Sequence, residues 1–282
     1  MEEKFLSGKV AVITGAGGGI GRAMALRFAE KGAKVVVNDL GTAVDGSGAS
    51  KNVADAVVEE IKAIGGEAQA NYDSVTTIEG AYNIIYSALN KFGRLDVVVN
   101  NAGILRDRFV INMSESDWDS VIAVHLKGAF LLSRAAMRHF KVQSGGGRII
   151  NITSLVGMMG NAGQANYGAA KGGVIGLTKV LAQEGERFGV TCNAIAPLAR
   201  TRMTQDLPIF AGVTDSEMGP QYVAPVATFL ASEEAKGITG RVIGVEGGKI
   251  FAYKVQITPG VNRKMVWKEE EILSRWDEIT KD

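Results

Sequence analysis

Lys9–Gly21, KVAVITGAGGGIG, is the stretch on which the fold class turns. KVAVIT is a short apolar run rich in β-branched residues and bounded by glycine, which predicts a buried strand. A helix is expected from about Gly19 to Lys31. Strand, glycine turn and helix in that order open a βα unit. The turn, Thr14–Gly21, has the pattern T-G-x-x-x-G-x-G, with Gly15, Gly19 and Gly21. It is not G-x-G-x-x-G, because position 20 is Ile, and no G-x-x-x-x-G-K-[ST] occurs, which argues against a triphosphate P-loop. Glycine is needed in any tight turn. Here it also lets the backbone approach a pyrophosphate, whose charge then sits at a helix N-terminus. Gly15, Gly18, Gly19, Ile20 and Gly21 are the residues expected to form this cradle.

The same alternation continues along the chain. Strands are expected at Lys34–Leu40, Glu67–Tyr72, Leu95–Asn100, Gly147–Thr153, Val190–Ala196 and Arg241–Glu246. Helices are expected near Lys51–Ile64, Thr76–Phe92, Ser114–Val142 and Gln164–Phe188, with Ser114 as an N-cap ahead of Asp117. The strands are apolar on both faces, so the fold class is α/β: a doubly wound parallel sheet of seven strands with helices on both faces. Residues 1–254 form one dinucleotide-binding and catalytic domain. Residues 255–282 lose the strand pattern and form an extension, packed on the same domain, whose end (Lys268–Lys281) resembles an amphipathic helix with Ile272, Trp276 and Ile279 on one face.

Composition narrows the function. The chain has 282 residues, 46% apolar and 22% charged, with a net charge of +1 and no basic block. Neither nucleic acid nor an anionic membrane is an implied partner. The start, MEEKFLSGKV, lacks a signal-peptide core, and no apolar run reaches the roughly 18 residues of a membrane span. The lone cysteine, Cys192, excludes an internal disulfide and points to a reducing, cytoplasmic compartment. With that cysteine and two histidines, His125 and His139, no His/Cys metal cluster can form, and no metal is expected.

Asp39 ends the second strand, where an acid accepts hydrogen bonds from an adenosine ribose and repels a 2′-phosphate. No Arg or Lys follows it at Leu40, Gly41 and Thr42, and none stands at Ala16, Gly17 or Gly18, so NAD is expected over NADP. Asp73 and Ser74, after the third strand, are placed to meet the adenine. Asn100, Ala102 and Gly103 in Asn100-Asn101-Ala102-Gly103 end the fourth strand, where the Asn side chains either bond the cofactor or tie strands together. The reaction centre is expected in Asn151–Gly173, NITSLVGMMGNAGQANYGAAKGG. Tyr167 and Lys171 sit at i and i+4 on one helix face. A phenol with an ordinary pKa of about 10 is a poor acid. A nearby ammonium lowers that value and lets it exchange a proton with an alcohol. Ser154 is a hydroxyl that can hold the same oxygen. By itself Y-x-x-x-K is commonly a surface pair, and its meaning comes from the cofactor site.

TGAGGGIG, Asp39, NNAG, Ser154, Tyr167-x-x-x-Lys171 and Asn193-x-x-x-Pro197 together resemble the short-chain dehydrogenases/reductases over residues 5–250. The resemblance implies a Rossmann-like sheet and hydride exchange between a nicotinamide and a carbonyl/alcohol pair. It makes Tyr167 the general acid/base, gives Lys171 the nicotinamide ribose, gives Ser154 the substrate oxygen, and adds Tyr167, Lys171 and Pro197 to the cofactor site. VVVNDLG, NNAGILRDR, VHLKGAF, GQANYGAAK and APLARTRMTQ are similar to the (3R)-hydroxyacyl-CoA dehydrogenase unit of multifunctional enzyme type 2. That branch implies oxidation of a 3-hydroxyacyl-CoA, and the family implies a homodimer or homotetramer. No counterpart of that enzyme's hydratase and sterol-carrier domains is expected. His125 stands where the wider family has an Asn supporting a proton-path water, and it either packs or relays protons. Leu198–Pro220 is expected to be a substrate lid, Arg106, Arg108, Arg200 and Arg202 are candidates for CoA phosphates, and Met158 and Met159 for an apolar wall. Competing readings are a dehydrogenase of another secondary alcohol (a steroid or an aryl-substituted acyl-CoA) and a catalytically silent NAD-binding subunit.

Overall fold

The computed structural model describes residues 5–143, 145–205 and 208–281. Asp206 and Leu207, in the expected lid, lie outside the described residues. Two compact units are present, Met1–Ala252 and Tyr253–Asp282.

The sheet is built from β1 (Val10–Thr14), β2 (Lys34–Asn38), β3 (Ala68–Asn71), β4 (Val97–Asn100), β5 (Gly147–Ile152), β6 (Val190–Leu198), β7 (Val242–Glu246) and β8 (Lys249–Tyr253). Their order is β3-β2-β1-β4-β5-β6-β7-β8. The seven expected strands pair in parallel from β3 through β7. The eighth was not expected. It follows β7 after only Gly247 and Gly248, a turn too short for a parallel crossover.

Alternation along each strand divides the core into two layers. Ala11 and Ile13 of β1 share one with Met24 and Phe28 of α1 (Gly19–Glu30), Val57 and Ile61 of α2 (Asn52–Ala63), and Val223 and Leu230 of α9 (Val223–Ala231). Val10 and Val12 face the other, with Ile84 of α3 (Ile78–Phe92), Leu132 and Phe140 of α5 (Gly128–Phe140), and Leu181 of α7 (Ala165–Gly185). Both faces are covered, so the strands are apolar throughout.

The long helix expected from Ser114 is interrupted. Ser114 caps α4 (Glu115–Ile122) through a reciprocal bond with Asp117. A π-helical turn, Ala123–Lys127, then joins α4 to α5. Over Glu115–Phe140 the chain is long and apolar enough to cross a membrane by composition, but half of its most apolar window is buried in the domain, which accounts for the apolarity. Between β5 and α7 lies an unexpected single turn, α6 (Val156–Met159). The segment after β6 holds another, α8 (Asp215–Met218).

In the second unit, the expected amphipathic helix is two short ones, α10 (Glu269–Ser274) and α11 (Trp276–Thr280). They break at Arg275, whose φ of −117° and ψ of 13° leave the helical range. Its guanidinium and that of Arg263 lie 5.9 and 5.8 Å from the Trp267 ring.

Ile13 is fully buried, whereas Ile257 is 90% exposed. Ile13→Ala is expected to destabilise the protein by about 2–5 kcal/mol, and Ile257→Ala by less than about 0.5 kcal/mol. Urea unfolding of the two variants measures the difference.

Candidate active site

The C-terminal ends of the strands carry the candidate residues, and the glycine turn sets their frame. Gly15 has a φ of +61°, and a Cβ there would stand 2.9 Å from the Ala102 Cα. A Cβ at Gly21 would stand 2.1 Å from the Gly15 carbonyl oxygen. These two glycines are required by packing between β1, α1 and the end of β4. Gly18 has nothing within 4 Å of the position its Cβ would take, and no side chain caps α1. The open helix N-terminus beside Gly18 and Gly19 fits a phosphate group.

A cavity of about 660 Å³ spreads from this turn. Gly15, Gly18, Gly19, Ile20, Asp39, Asp73, Ser74, Ala102 and Gly103, all candidates from the sequence, line it. Asp39 is held by two backbone amides: Gly17 N–H donates to Oδ2 at 2.8 Å and Gly41 N–H to Oδ1 at 2.7 Å. A Cβ at Gly17 would collide with Val53 at 2.4 Å, so position 17 has no room for a side chain. Asp73 accepts from Asn71 Nδ2 at 2.8 Å and Asn83 Nδ2 at 3.0 Å.

Other expected contacts face elsewhere. Asn100 does not line the large cavity; its Nδ2 donates to Asn151 Oδ1 at 2.7 Å and Ser133 Oγ at 3.0 Å. Asn101 ties β4 to β1, donating to the Thr14 and Gly15 carbonyls at 2.9 and 3.0 Å. Pro197 lies inside β6 and is not among the residues that line the large cavity. Arg200 pairs with Asp215 at 2.7 Å and Arg108 donates to the Asp107 carbonyl at 3.1 Å, whereas Arg106 and Arg202 line the cavity.

Tyr167 and Lys171 lie one turn apart on α7. The Lys171 Nζ is 5.5 Å from the Tyr167 ring centre and donates to the Ile152 carbonyl at 2.7 Å. Ser154, two residues past the end of β5, stands beside the Tyr167 phenol, and its Oγ accepts from the Val156 N–H at 3.2 Å. α6 allows this approach: a Cβ at Gly157 would stand 2.6 Å from the Lys171 carbonyl carbon. Burial decides the protonation of both groups. It pushes the Tyr167 phenol up to about 12, against the opposing effect of the neighbouring Ser154 hydroxyl and with help from the nearby Asp107 charge. Burial also pulls Lys171 down to about 7. The expected lowering of Tyr167 by a close ammonium is therefore outweighed in the protein alone.

His125 is buried in the π-helical turn. Its Nε2 lies 3.0 Å from the Ile104 N–H and 2.8 Å from the Ile104 carbonyl. Its ring meets that of Tyr167 edge-on at 5.2 Å. Burial, then the Lys171 charge, holds it well below its ordinary pKa, so the imidazole is neutral. A Cβ at Gly103 would stand 2.4 Å from His125 Cε1, so the close approach required of Gly103 is to this ring. The Nδ1 has no partner. His125, Lys171 and Asn100 line a buried cavity of about 10 Å³, the size of one water.

Sequence reasoning missed three residues. Gly17 was read only as a glycine without charge, yet its N–H orients Asp39. Thr14 Oγ1 accepts from the Asn101 and Ala102 N–H groups at 3.1 Å each. Asn166 is fully buried beside Tyr167. A polar residue at a strand end or next to the candidate base was the available signal, but it does not name a partner.

Between pH 7 and its ordinary value the Lys171 amine is protonated in the unfolded chain and largely neutral in the folded one. The unfolded chain then binds more protons, so this residue makes stability rise with pH above about 7. Urea titrations at about pH 7 and about pH 9 are expected to show that rise in the wild type relative to Lys171→Met.

A model of the short chain dehydrogenase family matches residues 9–209. A short-chain type dehydrogenase/reductase of Mycobacterium tuberculosis is 48% identical over 272 residues, 96% of this chain and 94% of its own. A hydroxyacyl-CoA dehydrogenase of the same organism is 44% identical over 258 residues, 87% of this chain and 79% of its own. The structure of full-length peroxisomal multifunctional enzyme type 2 from Drosophila melanogaster superposes with a TM-score of 0.80 and 38% identity, over 98% of this chain and 46% of that one. The chain likewise spans 31% and 60% of multidomain peroxisomal relatives from Neurospora crassa and Dictyostelium discoideum. In sequence and in fold, the chain belongs to the short chain dehydrogenase family of oxidoreductases.

Proposed function

We propose that this chain is an NAD-dependent dehydrogenase that oxidises a (3R)-3-hydroxyacyl-CoA to the 3-oxoacyl-CoA. The observation that carries the reading is the convergence of Ser154, Tyr167 and Lys171 at the strand ends that also form the glycine cradle. A silent nucleotide-binding subunit has no use for a partly buried phenol set between a serine hydroxyl and a buried lysine.

A bound nicotinamide supplies the hydride acceptor and, when oxidised, a positive charge that favours the phenolate. Gly18, Gly19 and the N-terminus of α1 would hold its pyrophosphate, and Asp39 its adenosine ribose. The protein's own groups handle the proton. Ser154 holds the substrate oxygen and donates to it as charge develops. Tyr167 takes the hydroxyl proton in oxidation and returns one in reduction. In the protein alone the phenol is held protonated, ready for the reductive direction. Lys171, its Nζ 5.5 Å from the ring centre, shares the proton balance of the pair. The neutral His125 keeps Ile104 and Gly103 in place beside it.

NAD is favoured over NADP by the fixed Asp39 carboxylate and by the absence of space for a basic side chain at position 17. The CoA thioester is supported by the name of the 44% identical hydroxyacyl-CoA dehydrogenase and by Arg106 and Arg202 on the cavity wall. A homo-oligomer is supported by exposed Trp118 and Phe130 on α4 and α5 and exposed Val180 on α7.

NADH formation with 3R- and 3S-hydroxyacyl-CoA thioesters, steroid alcohols and simple secondary alcohols tests the reading. Turnover of the 3R thioesters is expected; tight NAD binding without turnover of any alcohol would sink it. Tyr167→Phe is expected to lose about 10²–10⁴-fold in kcat while NAD affinity stays within about two-fold. Asp39→Ser is expected to raise kcat/KM with NADP relative to NAD by about 10-fold or more.

A further inference from the structure

α7 begins without an ordinary cap. Gln164, which precedes it, has a φ of −121° and a ψ of 40° and makes no side-chain cap bond, and no acidic residue stands in the first turn. The first N–H groups of a helix have no partner within it. One of them belongs to Tyr167, and it donates to Asn166 Oδ1 at 2.8 Å. The Asn166 Nδ2 donates to two carbonyls in other elements, Arg106 at 3.0 Å and Asp117 at 3.1 Å. Asn166 has no exposed surface, and its carboxamide uses its acceptor and both donors.

Arg106 follows Ile104, the residue whose backbone meets His125. Asp117 lies on α4, which continues into the turn that carries His125. One side chain thus links the helix of Tyr167 and Lys171 to both segments that frame His125. We infer that Asn166 is the positioning residue of the acid/base helix: its carboxamide holds the first turn of α7, and Tyr167 with it, against the loop after β4 and against α4. The inference rests on the reading of Tyr167 as the acid/base group.

Two neighbouring ties run between the same segments. Arg108 N–H donates to the Gly163 carbonyl at 2.8 Å, and Gln164 Nε2 donates to Asp107 at 2.7 Å. They keep the segments together when Asn166 is lost, so the first turn loosens without detaching. Tyr167 then samples positions that miss the substrate oxygen. A misplacement near 1 Å lowers a rate by about 100-fold.

The test compares Asn166→Ala, Asn166→Ser and Tyr167→Phe with the wild type, using the best alcohol of the panel above. Serine is small enough for the site and keeps an acceptor near the Tyr167 N–H, but it cannot reach both carbonyls. For Asn166→Ala, kcat and kcat/KM are expected to fall together by about 10–100-fold. NADH affinity, read by fluorescence, is expected to stay within about two-fold, and the solvent deuterium isotope effect on kcat to rise because proton transfer becomes limiting. Asn166→Ser is expected to show the same pattern with a smaller loss, and it stands in if the alanine variant does not fold. A folded Asn166 variant with wild-type kcat overturns the inference, as does one whose NADH affinity falls as far as its kcat. If Tyr167→Phe keeps its turnover, the reading of Tyr167 itself fails. If Tyr167→Phe is inactive and the Asn166 variants match the wild type, only the inference about Asn166 fails.

Discussion

A helix N-terminus can be seated on the end of a strand only where no side chain stands between them. At the turn from β1 to α1 that condition is met by Gly15 and Gly21, since a Cβ at Gly21 would lie 2.1 Å from the Gly15 carbonyl oxygen. Asn101 then bonds the two carbonyls of that turn, and Thr14 bonds the two amides after β4. β1 and β4 are adjacent in the sheet, at the point where the strand order reverses. The crevice that opens there holds the large cavity.

Buried carboxamides hold the strand ends around this crevice. Asn38 donates to Asn71 at 2.7 Å, Asn100 to Asn151 at 2.7 Å, and Asn151 to Thr178 at 2.8 Å. A carboxamide both donates and accepts and carries no net charge, so it satisfies its neighbours without the cost of burying an ion. Asn166 applies the same chemistry to the helix of Tyr167 and Lys171. The charged exception is Lys171, where desolvation outweighs the usual preference for the ammonium. Tyr167 shows the opposite shift from the same cause, and together the two form a pair in which the neutral forms are favoured.

Much of this was legible along the chain. The βα alternation and two-faced apolar strands predict the parallel sheet, and the spacing of Ser154, Tyr167 and Lys171 predicts one cluster. Other features were not. His125 is one imidazole in an apolar helix, and nothing in VHLKG announces a π-helical turn that aims it at Tyr167. Nor does NNAG announce that Gly103 leaves its side-chain position to the ring of His125. The single helix expected in the tail breaks at Arg275, whose backbone leaves the helical range while its guanidinium reaches Trp267 and Glu278. β8 escaped notice because Lys249–Tyr253 is short and mostly exposed, with too few buried positions to show a pattern.

The sequence by itself determined the fold class, the place of the glycine turn and the grouping of Ser154, Tyr167 and Lys171. Periodicity and spacing are local properties that survive in one dimension. The tertiary structure alone decided how those residues are protonated and held. Burial of Tyr167 and Lys171 depends on β5, α6 and the π-helical turn closing around α7, and the bonds of Asn166 join residues 49 and 60 positions apart. Desolvation and long-range hydrogen bonds depend on what surrounds a group in space, which the order of residues does not state.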